Sequence, residues 1–219
     1  MPYKVLNVID HLGLGGAQTF LSGFLGAWKN DNYIMDVAAL HGPGEFSATT
    51  ESVCRQLVHL APKKRAFGIL GNLQKLIQRE NYDIVHGHLI PSIFLCEQFR
   101  RYLGIKKLIS HAHAPYGRSP ILSFSGLTEP FIYRSSNLIL GCSKDVLESI
   151  PRRGIESRII YNGIDTDKFQ PFRPDQKKKE REKLGIPADS IVLGYAGRLS
   201  REKNPLVLLE ALNRIKHSH

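Results

Sequence analysis

Alternation of strand-like and helix-like segments is the feature that most constrains this chain. Residues 4–9 form a short β-rich run, glycines follow, and residues 17–28 carry apolar side chains at helical spacing. The same unit repeats as far as a predicted strand at residues 158–161. Parallel strands joined by helices form sheets that are covered on both faces, so the sequence predicts an α/β fold with a doubly wound, mostly parallel sheet. Ligands of such sheets bind just beyond the carboxyl ends of the strands.

A break in this pattern follows the last predicted strand. Residues 170–174 (QPFRP) contain two prolines, and a short charged helix is predicted after them. We therefore expect an N-terminal domain over residues 1–170, a linker with a charged helix over 171–190, and the start of a second α/β domain over 191–219. In that last part, residues 191–196 (IVLGYA) predict a strand and 205–215 a helix that begins with proline. One strand and one helix cannot cover both faces of a sheet, so we expect this second domain to be truncated; docking of this terminal piece on the first domain is the alternative.

Composition limits the classes of partner and compartment. The 219 residues include 42% hydrophobic ones and carry a net charge of +10, which favours anionic partners. Neither a signal peptide nor a membrane-spanning run is predicted, so we expect a cytoplasmic protein. The three cysteines are isolated along the sequence, which fits neither a disulfide framework nor a zinc cluster. Nucleic acid is not an expected partner, because the basic residues lack interleaved aromatics or a helix-turn-helix pattern.

One basic cluster, Lys63, Lys64 and Arg65, is followed by apolar residues. It predicts peripheral contact with the anionic inner face of a membrane, where each basic side chain contributes about 1 kcal/mol. An ordinary solvated loop explains the same residues equally well.

A glycine-rich segment, residues 13–18 (GLGGAQ), joins the first predicted strand to the first helix. Glycines allow the backbone to approach a ligand closely, and the following helix N-terminus favours anions. The segment fails as a dinucleotide fingerprint, because Gln18 stands at the third glycine position and no acid follows the second strand. A tight turn without a ligand is the alternative.

Two pairs of histidines follow neighbouring strands. His86 and His88 end one predicted strand, and His111 and His113 end the next. Residues two apart on a strand point to the same side, so both pairs are expected at the ligand-binding edge. Contacts to substrate hydroxyls or phosphates, hydrogen bonds to loop backbone, and a metal site are three interpretations. No Asp or Glu lies near either pair in the sequence, so we predict no metal.

Two further segments carry polar residues. Residues 161–165 (YNGID) contain Asn162 and Gly163, which by themselves indicate a tight turn. Residues 197–204 (GRLSREKN) follow the predicted strand of the second domain. Arg198 and Lys203 in that loop would suit a diphosphate beside a helix N-terminus, and a solvated basic loop is the alternative.

Taken in order, six segments resemble family 4 glycosyltransferases of the GT-B architecture. They are GGAQ at 15–18, DIVHGH at 83–88, SHAH at 110–113, GCS at 141–143, YNGID at 161–165 and GRLSREKN at 197–204. The resemblance implies two facing Rossmann-like domains, the first binding the acceptor and the second binding the nucleotide-sugar. It also implies a role for individual residues: Gly15 and Gly16 beside the donor phosphates, His111 near the sugar with His113 as the alternative, Asn162 and Gly163 before the crossing between domains, and Arg198 and Lys203 clamping the diphosphate.

This resemblance implies a retaining glycosyltransferase without metal or other cofactor. Such an enzyme moves a sugar from a nucleotide-sugar to a glycan or lipid-linked acceptor in bacterial surface polysaccharide synthesis. The sequence departs from the family because it lacks the paired-glutamate segment found further along the donor-binding domain. A non-catalytic acceptor-binding half, or pseudo-enzyme, is therefore the alternative.

Overall fold

A computed structural model of the chain describes residues 1–61, 68–115, 132–151, 154–201 and 203–216. These residues form two compact units, Met1–Thr166 and Asp167–His219. The predicted membrane-contacting cluster of Lys63, Lys64 and Arg65 lies outside the described residues, so that contact stays a prediction. Across the described ranges, every helix is too short or too polar to cross a bilayer.

The first unit is built on a sheet of seven strands that are all parallel to their neighbours. The spatial order of the strands is β3-β2-β1-β4-β5-β6-β7. Their bounds are β1 Tyr3–Ile9, β2 Tyr33–Ala39, β3 Leu57–His59, β4 Ile84–His88, β5 Lys107–Ala112, β6 Leu138–Gly141 and β7 Ser157–Ile159. The predicted α/β, doubly wound, parallel sheet is confirmed.

Helices lie between most consecutive strands of the first unit, and two more helices follow in the second unit. Their bounds are α1 Gly16–Ala27, α2 Ser47–Glu51, α3 Ile69–Glu80, α4 Ile90–Gln98, α5 Arg100–Leu103, α6 Lys144–Ser149, α7 Pro174–Lys183 and α8 Pro205–Lys216. Helix α2 ends at Glu51, and Phe99, whose backbone leaves the helical region (φ −107°, ψ 18°), separates α4 from α5.

Alternation along β1 separates the two faces of the sheet. Leu6 and Val8 join the apolar cluster that also contains Leu73 of α3. Ile9 joins a second cluster with Leu21 of α1. Because side chains two apart share a face, Asn7 lies on the same face as Ile9, beneath α1. This placement puts a buried amide next to the strand ends that carry the histidines.

The second unit contains α7 and α8 but no strand among its described residues. The strand predicted over 191–196 is absent, and that prediction was wrong for this structure. A strand needs a neighbour for its backbone hydrogen bonds, and the described part of this unit offers none. None of the unit's described residues is buried. Helix α8 begins at Pro205, as the sequence predicted.

Candidate functional site

The strand order reverses direction between β1 and β4. From β1 the chain builds outward to β2 and β3, and it then returns to place β4 on the other side of β1. The register pairs Ile9 with His88 and His88 with His111. Reversal points of this kind leave a crevice at the carboxyl ends of the strands, where ligands of open α/β sheets bind. The predicted histidine pairs lie at this edge.

The four histidines form one contiguous group, here called the histidine cluster (His86, His88, His111 and His113). The ring centroids of His86 and His88 are 4.1 Å apart, and those of His111 and His113 are 4.2 Å apart. Across the strands, the rings of His86 and His111 stack at 5.5 Å with an angle of 2° between their planes. The expectation that each pair points to one side is confirmed.

Hydrogen bonds fix the tautomer of His88. The Asn7 side chain donates through Nδ2 to the Asp36 carbonyl oxygen at 3.2 Å, so its Oδ1 is left to accept. His88 Nε2 lies 3.2 Å from that Oδ1 and is therefore the protonated nitrogen. His88 Nδ1 then accepts from His113 Nε2 at 3.1 Å. Sequence reasoning missed Asn7, because only the register of β1 against β4 brings it to the histidines.

Several nitrogens of the histidine cluster have no hydrogen-bond partner in the described part of the chain. They are His86 Nε2, His111 Nδ1, His111 Nε2 and His113 Nδ1. Buried polar atoms without a partner are uncommon in folded proteins, because each costs roughly 1–3 kcal/mol. These nitrogens are therefore available to a bound molecule or ion.

Burial keeps the cluster uncharged. Desolvation lowers the pKa of His86 to about 3, that of His111 to about 2 and that of His113 to about 4. The pKa of His88 is lowered as well, first by burial and then by the neighbouring imidazoles. Neutral imidazoles can donate to or accept from hydroxyl groups, but they supply no positive charge to a phosphate. Of the predicted contacts, those to hydroxyls suit the cluster better than those to phosphates.

Phe20 of α1 forms an aromatic wall over the cluster. Its ring centroid is 5.0 Å from that of His111, edge to face, and 5.3 Å from that of His113. In the sequence Phe20 is one of several apolar residues at helical spacing, and nothing marks it as a contact of the site.

A small pocket opens at the reversal point and is here called the switch pocket. Its volume is about 210 Å³. Most of its walls are apolar, and its polar side chains include Asp10 and His113; the lining residues are Asp10, Leu89, Ile90, Pro91, Ala112, His113, Ala114 and Tyr133. In the sequence the acid nearest either histidine pair is Asp83, which precedes β4 at the opposite end of that strand, yet the fold brings Asp10 into the pocket from the end of β1. His41 Nε2 lies 3.2 Å from Asp10 Oδ1.

Leu89 forms part of the pocket in an unusual backbone conformation. It follows β4 with φ 67°, a region that non-glycine residues rarely adopt. Such conformations cluster at functional sites, where the surrounding structure holds them in place.

The glycine-rich turn lies at the same edge, before α1. A Cβ at Gly16 would meet no atom within 4 Å, whereas one at Gly15 would clash with the Gln18 side chain. Gln18 is buried and donates from Nε2 to the His11 carbonyl oxygen at 3.1 Å. The residue that breaks the dinucleotide fingerprint therefore braces the turn, and Gly16 is the glycine with open space beside it.

Asn162 and Gly163 follow β7 at an exposed stretch of the first unit. Gly163 lines a groove of about 730 Å³ between α1 and residues 160–166, and Phe20 lines the same groove. Arg198 and Lys203 belong to the second unit and are exposed there. Their predicted role at a diphosphate stays a prediction.

Comparison with known sequences gives a consistent family. The profile of Glycosyltransferase Family 4 matches residues 14–168. The UDP-Gal:alpha-D-GlcNAc-diphosphoundecaprenol alpha-1,3-galactosyltransferase of Escherichia coli is 27% identical over 168 residues, covering 73% of this chain and 42% of that protein. A D-inositol 3-phosphate glycosyltransferase of Corynebacterium jeikeium is 34% identical over 76 residues, covering 35% of this chain and 18% of that protein.

Solved structures share the fold. Anabaena Alr3699/HepE in complex with UDP-glucose has a TM-score of 0.74 at 19% identity, covering 96% of this chain and 57% of that one. A glycosyltransferase from Rickettsia africae has a TM-score of 0.66 at 17% identity, covering 99% of this chain and 58% of that one. The chain thus spans less than two thirds of the length of these relatives. Because the family profile matches most of its residues, the chain belongs to glycosyltransferase family 4.

Proposed function

We propose that this chain takes part in moving a hexosyl group from a nucleotide-sugar to a glycan or lipid-linked acceptor during the synthesis of bacterial surface polysaccharide. The observation that carries the proposal is the uncharged histidine cluster beside the switch pocket, at the reversal point of the sheet. The names of the relatives support the class of reaction, since the E. coli protein is named for a UDP-sugar donor and an undecaprenol-linked acceptor. The Anabaena structure holds UDP-glucose.

The switch pocket suits a hydroxyl of a sugar. Apolar walls from Leu89, Pro91 and Tyr133 can contact the carbon face of a ring, and the Asp10 carboxylate can accept a hydrogen bond from a hydroxyl. His113 lines the same pocket, and its neutral ring can share a second hydroxyl. We assign this pocket to the acceptor and place His111, whose two nitrogens lack partners among the described residues, on the transferred sugar.

The proposed transfer proceeds with retention and without a metal ion. The bond between the anomeric carbon and the leaving phosphate oxygen breaks, and a bond from the acceptor oxygen to that carbon forms on the same face. The acceptor proton passes to the leaving phosphate. Arg198 and Lys203 would stabilise the charge that develops on the diphosphate, and the backbone at Gly16 would lie against it.

A transfer assay tests this function. The chain is incubated with labelled UDP-sugars and an undecaprenyl-diphosphate-linked acceptor, and the product is separated by chromatography. We expect Asp10→Asn and His111→Asn to lower the rate at least about 100-fold, as loss of groups acting in the transition state does. The matched control is Asp31→Asn, which changes an exposed acid just before β2 at the opposite end of the sheet. Equal rates for Asp10→Asn and the control would remove Asp10 from the mechanism.

A second candidate is a non-catalytic acceptor-binding half. It is favoured by one observation: the switch pocket and histidine cluster lie wholly in the first unit, whereas Arg198 and Lys203 lie in a unit whose described residues are all at least partly exposed. Saturation-transfer NMR with the acceptor alone separates the two. Acceptor binding that depends on Asp10, with no product from any nucleotide-sugar, identifies the binding half.

Peripheral attachment to an anionic membrane through Lys63, Lys64 and Arg65 accompanies this function as a further proposal. The order of these residues in the sequence supports it, with three consecutive basic side chains next to Phe67 and Ile69. Co-sedimentation with phosphatidylglycerol liposomes should fall when Lys63→Glu and Lys64→Glu are combined. Unchanged sedimentation would remove the proposal without affecting the transfer reaction.

A further inference from the structure

Three histidines of the cluster are arranged as metal ligands. His86, His88 and His111 are buried, and each offers one ring nitrogen so that the three nitrogens all lie within 4.8 Å of one another. Two of them are separated by one residue on β4, and the third faces His88 across the register of β5. Zinc binds imidazole nitrogen at about 2.0–2.1 Å in tetrahedral sites, which puts two ligand nitrogens about 3.4 Å apart, so the widest pair needs to approach by at most about 1.4 Å.

The free nitrogens argue for a ligand at this place. His86 Nε2 and both nitrogens of His111 have no partner among the described residues. Asn7 already holds His88 through Nε2, which leaves Nδ1 as the atom directed toward an ion. A metal-binding histidine commonly donates its other N–H to a fixed acceptor, which sets the ring orientation. Asn7 supplies that acceptor here.

We propose that His86, His88 and His111 bind one divalent transition-metal ion, with Zn²⁺ as the ion they suit best. Three neutral imidazoles and no carboxylate favour zinc, copper or nickel over magnesium or calcium, which prefer oxygen ligands. The sequence predicted no metal because no acid lies near the pairs. Three histidines with a fourth open position nevertheless make a complete zinc site in other enzymes.

His113 controls access to this site. Its Nε2 contacts His88 Nδ1 at 3.1 Å, and its ring also lines the switch pocket. An entering ion binds the lone pair of His88 Nδ1. His113 then loses its hydrogen bond to that nitrogen and moves toward the switch pocket. The bound ion occupies nitrogens that the proposed function gives to substrate hydroxyls, and it would therefore inhibit transfer rather than assist it.

Metal uptake by the untagged full chain tests the proposal. Neither nucleotide nor sugar is added, so the result is independent of the proposed function. The protein is stripped with a chelator and titrated with Zn²⁺ against a fluorescent zinc indicator. We expect one Zn²⁺ per chain at the cluster, and binding at least about 100-fold weaker in His86→Gln and in His111→Gln. Asn7→Leu removes the acceptor for His88 together with the donor to the Asp36 carbonyl oxygen and keeps all three metal ligands, so it should weaken binding about 10–100-fold.

Matched controls are His41→Gln and His59→Gln, because these histidines lie at the same edge of the sheet but outside the cluster. They should keep the wild-type affinity.

Co²⁺ added to the wild-type chain gives a second readout that needs no variant, since three imidazoles and one further ligand produce the intense visible absorption of tetrahedral cobalt. A weak octahedral spectrum, or equal zinc binding by the chain and by the combined His86→Gln, His88→Gln and His111→Gln variant, would overturn the proposal.

Discussion

At the residue scale, the buried imidazoles tie stability to pH. In the unfolded chain a histidine has a pKa near 6.5, whereas burial lowers the pKa of His113 to about 4 in the folded protein. Between these values the unfolded state binds more protons than the folded state. Stability is therefore highest above the unfolded pKa and falls as the pH is lowered toward 4, by about 1.4 kcal/mol per pH unit for each such histidine.

We predict that His113→Gln makes this slope shallower by about 1.4 kcal/mol per pH unit between pH 6 and 4.5, because one titrating group is removed. Urea unfolding at several pH values measures it. Asn162→Gln changes an exposed side chain that does not titrate and should keep the wild-type slope. An unchanged slope in His113→Gln would mean that the pKa of His113 is the same in the folded and unfolded states.

A second residue-scale prediction concerns Gly44, beside the glycine-rich turn. A Cβ at this position would lie 2.6 Å from the carbonyl carbon and oxygen of Leu12 and 2.7 Å from the nitrogen of Gly13. These are backbone atoms and cannot swing aside. We expect Gly44→Ala to lower the free energy of unfolding by about 1–3 kcal/mol through overpacking.

Gly71 provides the matched control, because a Cβ there meets no atom within 4 Å in α3. Gly71→Ala should leave stability unchanged or raise it by up to about 1 kcal/mol, since alanine is the better helix former. Denaturant titration of both variants makes the comparison. Equal stability of Gly44→Ala and wild type would show that the turn can shift as a whole.

At the element scale, a hydrogen-bond network around the Asp36 carboxylate links β2 to the segments that precede β3 and β4. The Asp36 carboxylate accepts from Tyr82 Oη at 2.7 Å, from Gln56 Nε2 at 3.0 Å and from Arg55 Nε at 2.9 Å. Burial works against the Asp36 charge, but these donors lower its pKa below the usual value. Asp36 also presents its carbonyl oxygen to Asn7, so the network helps to orient the residue that holds His88.

Tyr82→Phe removes one donor to this carboxylate and should cost about 1.5–3 kcal/mol. In an Asp36→Asn background the same change should cost clearly less, because the charge that the hydroxyl stabilises is gone. A double-mutant cycle by urea unfolding measures the difference. Equal costs in the two backgrounds would show that Tyr82 acts through packing alone.

The elements that sequence could predict are those with local signals. The pairs His86/His88 and His111/His113 could be placed on one side of the sheet because strand alternation has a fixed period of two. Asp10, Asn7 and Phe20 could not be assigned to the site, since they meet the histidines only through the β1–β4 register and the packing of α1. The strand predicted over 191–196 failed for a related reason: its propensity is local, but its hydrogen bonds require a neighbouring strand.

At the scale of the whole molecule, the two units differ in what stabilises them. The first has apolar clusters on both faces of its sheet, including Leu73, Leu76 and Ile77 from α3. In the second, apolar side chains are exposed, among them Ile191 at 92% and Leu199 at 85%. Helical hydrogen bonds alone stabilise an isolated helix of this length only marginally in water.

Helices α3 and α8 allow a direct comparison, because each has 12 residues but only α3 buries a face against the sheet. We predict that peptide amides of α8 exchange with deuterium within seconds, whereas those of α3 are protected at least about 1,000-fold more, since their exchange requires opening of the core. Exchange of the full chain followed by mass spectrometry measures both helices in one sample.

Comparable protection of α8 would mean that its apolar side chains Leu206 and Leu209, which are exposed in this structure, are covered in solution. Association of the chain would cover them in this way. Dilution separates these cases, because protection arising from association is lost at low concentration and protection within a single chain is not.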